Sequence, residues 1–230
     1  MSTLCLRAPR THAVHLSQRY FSTNASFLGR RSANHAALSP LSFLQRTVDI
    51  YPERTAILYA DWKHASSTST VDAVVIKQTW GQTKTRITQL ASALANHGVG
   101  RGDVVAVLSP NTPAFVELHH GINACGAAIN PLNTRLDIDS LAYILQHSAA
   151  KVLLADTAQG SIAAAVCAQL KAEGLSPPLL VDLVDPIDSH HPEGVTAATA
   201  PRFGSLTYEE LLGQGNEVLL IQMLWATRFS

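Results

Sequence analysis

Two short motifs carry residue types that bind phosphate or metal ions. Residues 98–103 (GVGRGD) have glycines spaced as in a nucleotide-binding loop. Such a loop follows a strand and opens a helix, whereas this stretch follows a helical pattern and precedes an apolar run, so we predict a turn. His119, His120 and Cys125 have side chains that can ligate a metal. Adjacent helical residues point about 100° apart, so we expect these imidazoles to pack on a helix face rather than share an ion.

The remaining polar residues form no recognisable catalytic set. Asp137 and Asp139 stand at a predicted helix start, where the helix dipole favours carboxylates. His190 and His191 stand in a polar stretch and are expected to be solvated. The sequence contains no G-x-S-x-G elbow, no G-x-x-x-x-G-K-[ST] loop and no C-x-x-C pair. By themselves, these residues indicate a soluble α/β domain without visible catalytic machinery.

Composition excludes several classes of protein. Of the 230 residues, 47% are hydrophobic, and 17 Lys and Arg balance 17 Asp and Glu. The apolar content excludes a disordered polymer, and the zero net charge argues against a nucleic-acid partner. No apolar run approaches the roughly 18 to 20 residues that a membrane span needs. The three cysteines are scattered, which excludes a disulfide framework and suits a reducing compartment.

The N-terminal segment differs in charge from the rest of the chain. Six arginines precede the first acidic residue, Asp49, so residues 1–48 carry +6 and the remainder carries −6. The segment is also rich in Ser, Thr and Ala. A basic, acid-poor leader of this kind is typical of an organelle transit peptide, and an ordinary disordered N-terminus is the alternative. We therefore expect a mitochondrial (matrix) protein with a transit-like, disordered leader over residues 1–38.

The elements that must position any site alternate along the chain. After a helix near residues 40–51 and a hairpin of residues 55–59 with 74–80, strands and helices follow one another. This order predicts an α/β fold with a doubly wound, largely parallel sheet, which binds ligands at the carboxyl ends of its strands. The strands are expected at 104–108, 127–130, 151–155 and 179–184, and the helices at 83–97, 113–125, 137–148, 157–173 and 205–212.

Several segments of the sequence together follow the pattern of a known family. The segments are 79–81 (TWG), 89–94 (QLASAL), 98–106 (GVGRGDVVA), 110–113 (PNTP), 117–119 (ELH), 126–128 (GAA), 130–136 (NPLNTRL) and 151–156 (KVLLAD). Their order and spacing resemble the N-terminal part of the adenylate-forming acyl-CoA synthetases, or AMP-binding enzymes, most of all the short- and medium-chain acyl-activating branch. The resemblance implies a partial N-terminal subdomain of that fold over residues 39–216.

The resemblance implies a ligase that joins a carboxylic acid or fatty acid to coenzyme A through an acyl-adenylate, with ATP and Mg²⁺. It places Asn133, Thr134 and Arg135 on the coenzyme A side of the cleft, although ordinary turn chemistry explains the first two equally well. The phosphate loop and catalytic lysine of the family do not occur in the sequence, and the Ser/Thr cluster 66–70 lacks the necessary glycines and lysine. We therefore expect the chain to be inactive alone and to bind none of these cofactors well.

Residues 217–230 (EVLLIQMLWATRFS) are apolar and do not resemble the family. The expectation is a fragment that stops before the ATP site. A non-catalytic binding module derived from the fold and an artefact at the end of the gene model are the alternatives. An interrupted parallel sheet exposes an edge, so self-association through that edge and the tail is expected. For a full-length form, a peroxisomal location is the alternative to the mitochondrial one.

Overall fold

The computed structural model describes residues 39–60, 75–185 and 200–216. The leader, the Ser/Thr cluster 66–70, the histidine pair 190–191 and the tail 217–230 lie outside the described residues. The expected disorder of the leader and the expectations for the other three segments stay predictions. The described elements are α1 (Pro40–Ile50), β1 (Thr55–Ala60), β2 (Val75–Thr79), α2 (Trp80–Asn96), β3 (Val104–Leu108), α3 (Pro113–Ala124), β4 (Ala128–Pro131), α4 (Ile138–Ser148), β5 (Ala150–Asp156), a 3₁₀ turn (Thr157–Gln159), α5 (Gly160–Ala172), β6 (Leu179–Leu183), β7 (Leu206–Thr207) and α6 (Tyr208–Gly213).

The predicted parallel sheet is confirmed. Strands β4-β3-β5-β6-β7 lie side by side in this order and all pair in parallel. β1 and β2 form a separate antiparallel hairpin, as expected. Within the described part of the chain, β4 and β7 are the edges of the large sheet. The self-association expected at such an edge stays a prediction.

Side chains that alternate along the central strands divide the core into two layers. Val105 and Val107 of β3 pack in one cluster with residues of α1, α2, α3 and α6. Ala106 and Leu108 of the same strand pack in a second cluster with residues of α4 and α5. Because β3 is apolar on both faces, it can lie at the centre of a sheet that helices cover on both sides. The doubly wound α/β class follows from this arrangement.

Hydroxyl caps fix the starts of several helices. Ser39 caps α1 with Pro40 in its first turn, and Thr112 caps α3 with Pro113 in its first turn. α2 begins at Trp80, three residues earlier than expected, because Thr79 and Gln82 form a capping box. The strand before it is correspondingly shorter.

The expectation for residues 157–173 also needs adjustment. This stretch begins as a 3₁₀ turn, and α5 starts only at Gly160. The side chain of Asp156 accepts a hydrogen bond from the Ala158 N–H at 2.9 Å, which favours a tight turn over a first α-helical turn. The short strand β7 was not expected, because two residues give no periodic signal.

Residues 98–103 form the predicted turn between α2 and β3. Gly98 and Gly102 have φ of 74° and 87°, a conformation that glycine adopts at little cost. The Asp103 carboxylate accepts hydrogen bonds from the Gly100 N–H and the Lys151 ammonium, both at 2.8 Å. Chiefly through the bond from Lys151, the pKa of Asp103 falls below its ordinary value. The motif therefore joins two elements and offers no phosphate cradle.

We expect Gly121→Val to destabilise the fold by about 1–3 kcal/mol, because the α2–α3 contact has no room for a side chain there. A Cβ atom at Gly121 would overlap the side chain of Leu90, which is fully buried. Urea denaturation gives the free energy of unfolding. Gly100→Val is the matched control, since no atom lies within 4 Å of a Cβ built at Gly100. Equal stability of the two variants would contradict the prediction.

Candidate functional site

A cavity of about 990 Å³ opens at the carboxyl edge of the sheet. Its walls come from β2, from the first two turns of α2 and α3, from the start of α6, from Glu53 before β1, and from Val184 and Asp185, which directly follow β6. This is the edge at which open parallel sheets bind their ligands. The β1–β2 hairpin is joined to this edge by a hydrogen bond, which the Tyr59 hydroxyl donates to the Asp185 carboxylate at 2.7 Å.

Glu117 of α3 is the buried charge in the cavity wall, with only 1% of its surface exposed. Its Oε1 accepts hydrogen bonds from Gln78 Nε2 at 2.8 Å and from Arg86 Nε at 2.7 Å. Its Oε2 accepts from the Tyr208 hydroxyl at 2.7 Å. A buried carboxylate is tolerated only with such partners, so Glu117 joins β2, α2 and α6 to α3.

Arg86 carries the matching positive charge. Its two terminal nitrogens donate to both oxygens of Glu209, with NH1–Oε2 at 3.0 Å and NH2–Oε1 at 2.6 Å. Burial opposes the charge of Arg86, but the hydrogen bonds to Glu209 and Glu117 more than offset it and raise the pKa of Arg86 above its ordinary value. The guanidinium therefore stays charged, with one side on a buried carboxylate and the other on an exposed one.

Tyr208 completes the network from α6. Burial, and then the negative charge of Glu117, raise the pKa of Tyr208 well above its ordinary value. The phenol is neutral and acts as a donor, and the Arg86 guanidinium lies 5.7 Å from its ring centre. Thr207 and Glu210 form the capping box that starts α6 and so places Tyr208 over the cavity.

Asn133, Thr134 and Arg135 lie in the loop after β4, and none of them lines this cavity. The Asn133 side chain accepts the Arg135 N–H at 3.0 Å, and its carbonyl accepts the Leu136 N–H at 3.2 Å. This is ordinary turn chemistry. The coenzyme A role of the three residues stays a prediction.

His119 and His120 each use ring Nδ1 to contact a carbonyl one turn back, at Phe115 (2.8 Å) and Val116 (3.1 Å). The imidazole of His119 also meets the Phe115 ring edge-on. Both side chains therefore pack along their own helix. Over the described ranges, no group of three or more His, Cys, Asp or Glu side chains is arranged to hold a metal ion.

Comparison with known proteins gives the family. The AMP-binding enzyme family matches residues 44–211, which is most of the chain. An acetate–CoA ligase from Humulus lupulus is 35% identical over 192 residues, covering 82% of this chain and 31% of that protein. A peroxisomal butyrate–CoA ligase from Arabidopsis thaliana is 33% identical over 183 residues, covering 80% and 28%.

The chain belongs to the AMP-binding enzymes. It spans about a third of the length of these relatives. The crystal structure of an anthranilate–CoA ligase in complex with anthranoyl-AMP superposes with a TM-score of 0.59 at 19% identity, over 83% of this chain and 31% of that one. At this identity the superposition supports the fold alone. The predicted resemblance to this family is confirmed.

The expected mitochondrial location is contradicted by the locations of similar proteins. The butyrate–CoA ligase, a probable acyl-activating enzyme and a benzoate–CoA ligase, all from Arabidopsis thaliana, are described as peroxisomal. The expectation rested on the composition of residues 1–48. A surplus of arginine and serine over acidic residues is compatible with many exposed segments, so it does not specify an import route.

The sequence did not predict the roles of four polar residues in the cavity wall, although Glu117 belongs to the segment 117–119 that carries the resemblance. The four are Gln78, Arg86, Glu117 and Tyr208. One signal was available. Pro113, Glu117 and Gly121 recur every fourth residue on a buried face of α3, so a charge appears where an apolar residue is normal. A charge in such a position needs a buried partner. The sequence does not identify the partners, because Arg86 and Tyr208 lie 31 and 91 residues away from Glu117.

Within residues 39–60, 75–185 and 200–216, no helix is long and apolar enough to span a membrane.

We expect Glu117→Ala to lower the free energy of unfolding by about 3–5 kcal/mol, because it removes the buried partner of Arg86 and leaves two further donors unsatisfied. Thermal or urea unfolding of the purified chain measures the loss. The matched control is Glu173→Ala, which removes an exposed glutamate and should stay within about 0.5 kcal/mol of the original chain. A similarly small effect for Glu117→Ala would show that the network contributes little.

Proposed function

We propose that the chain supplies the N-terminal part of an ATP-dependent carboxylate–CoA ligase. The observation that carries this is the family match over residues 44–211, together with relatives that are CoA ligases. In the proposed reaction the carboxylate attacks the α-phosphate of ATP, releasing pyrophosphate, and the thiol of coenzyme A then displaces AMP. The acetate and butyrate ligases favour a short-chain acid as substrate.

The described residues contribute a scaffold to this reaction rather than an ATP site. Positive groups at the large cavity are Arg86, which Glu117 and Glu209 already neutralise, and Lys77. Glu53 and Asp185 line the same cavity. The lining thus carries two basic and four acidic side chains, whereas a polyphosphate needs an excess of positive charge, so this cavity does not fit ATP.

The loop after β4 is our candidate for a contact with coenzyme A. Asn133 and Arg135 are exposed, and the loop leaves the sheet at the same carboxyl edge as the cavity. An exposed arginine there suits a phosphate group.

A non-catalytic binding module is the second candidate. The cavity favours it, because a volume of about 990 Å³ suffices for a small organic ligand without any ATP site.

We expect the purified 230-residue chain to release no pyrophosphate above background with ATP, Mg²⁺, coenzyme A and acetate or butyrate. The reason is that its sequence lacks the phosphate loop and catalytic lysine that the family resemblance implies. A coupled pyrophosphate assay and chromatography of acyl-CoA measure this, with the Humulus lupulus acetate–CoA ligase as the active control. The proposal also predicts the activity of a longer chain. When this chain is extended to the full length of its relatives, the extended protein should form acyl-CoA. Failure of the extended, folded chain would overturn the proposal.

We propose a peroxisomal location for the full-length ligase, supported by the descriptions of three relatives. An antibody against residues 39–216 should co-sediment its antigen with catalase during organelle fractionation of native cells. Co-sedimentation with a mitochondrial matrix marker would contradict this.

A further inference from the structure

We propose that residues 214–216, which directly follow α6, form a clasp on α2 that keeps the wall of the large cavity in place. The clasp itself does not line the cavity. It acts through α6, whose first two residues, Tyr208 and Glu209, do line it. Its members are therefore positioning residues rather than binding residues. This coupling goes beyond the proposed ligase function and does not depend on it.

Polar contacts attach the clasp to the second half of α2 and its C-cap. The carbonyl of Gln214 accepts a hydrogen bond from Asn96 Nδ2 at 3.0 Å, and its side-chain Oε1 lies 2.7 Å from His97 Nε2. The Asn216 N–H donates to Ser92 Oγ at 3.0 Å. Ser92 is only 1% exposed, so water competes poorly for this bond. The clasp thus has both exposed and shielded attachments to one helix.

A steric requirement at Gly215 accompanies these bonds. A Cβ atom at this position would lie 1.9 Å from the backbone oxygen of Gln89, which is far inside the contact distance of two atoms. α2 buries eight of its residues, so its backbone cannot move aside as the end of a flexible side chain can. The clasp therefore lies directly against α2, and a side chain at Gly215 would have to lift it from the helix.

The other end of α6 is attached near the start of α2. Arg86 donates to both oxygens of Glu209, at 2.6 and 3.0 Å, and the Tyr208 hydroxyl donates to Glu117 of α3 at 2.7 Å. α2 therefore holds α6 at both ends. Because α6 has only six residues, it is too short to persist as a helix without its tertiary contacts.

Buried side chains lie between the two attachments of α6. Leu211 and Leu212 pack in the same apolar cluster as α2 and α3. Close-packed side chains transmit a displacement, since there is little free space to absorb it. Lifting the clasp should therefore shift these leucines and loosen Tyr208 and Glu209 in the cavity wall.

Hydrogen exchange of the full 230-residue chain, measured by mass spectrometry, tests the coupling in Gly215→Ala. We expect the amides of residues 208–212 to exchange roughly tenfold faster, since the new Cβ atom removes the hydrogen bonds of the clasp. Gly213→Ala is the matched control, because no atom lies within 4 Å of a Cβ built at Gly213. Its rates should stay within about twofold of the original chain.

Two outcomes of this experiment would overturn the proposal. One is equal exchange of residues 208–212 in the two variants. The other is an equal acceleration in β3 and β5, which would show a general loss of stability rather than a coupling between the clasp and the cavity wall.

Tyrosine ionisation gives a second readout at the cavity itself. Burial, and then the charge of Glu117, keep the pKa of Tyr208 well above its ordinary value. Exposed phenols ionise at about pH 10. In Gly215→Ala we expect one additional tyrosine to ionise there, seen in the ultraviolet absorbance, and the double variant Gly215→Ala/Tyr208→Phe should lose this step. A titration curve unchanged by Gly215→Ala would contradict the coupling.

Ser92→Ala keeps the test decisive if Gly215→Ala does not fold. It removes the acceptor of the Asn216 N–H without adding bulk, so the exchange of residues 208–212 and the ionisation of Tyr208 should change in the same direction. No change in either readout would overturn the proposal. A negative result leaves the ligase proposal intact, because no turnover is measured.

Discussion

The buried carboxylate of Glu117 is the constraint on which the carboxyl edge of this domain depends. Removing such a group from water is costly, and the structure offsets that cost with three donors from three separate elements. Each donor is therefore held at hydrogen-bonding distance from one point on α3. The hairpin, the long helix α2 and the short helix α6 owe their relative positions to this point as much as to apolar packing. The cavity is the space that remains between the elements so fixed.

Apolar packing and this polar network act on different parts of the molecule. β3 and β5 separate two clusters of aliphatic side chains, and the positions of the helices over the sheet follow from those clusters. Dispersion and burial have little directional preference. The network lies at the end of one cluster, where directional bonds select among otherwise similar packings. Membership of the AMP-binding enzymes is consistent with such a division, in which a rigid sheet carries polar groups along one edge.

Sequence reasoning recovered the parts of this fold that local physics determines. The apolar run of Val104–Leu108 predicts a strand buried on both faces, and Thr112 with Pro113 marks a helix start. The site was missed for the opposite reason. Arg86 and Glu209 are 123 residues apart, and their contact depends on tertiary geometry that no spacing rule encodes. The leader is a third case, in which the expectation from sequence was wrong. Its composition resembles that of a targeting signal, but composition alone does not define a cellular location.

The order in which the network can form follows from the same separations. The bonds of Glu117 to Gln78, Arg86 and Tyr208 close loops of 39, 31 and 91 residues. Closing such loops costs chain entropy, which the apolar core must first compensate. The bond from Tyr208 closes the longest of these loops, so the network is complete only when α6 has docked on the rest of the domain. A contact completed late in folding affects the unfolding rate more than the folding rate, so we expect the docking of α6 mainly to slow the opening of the carboxyl edge.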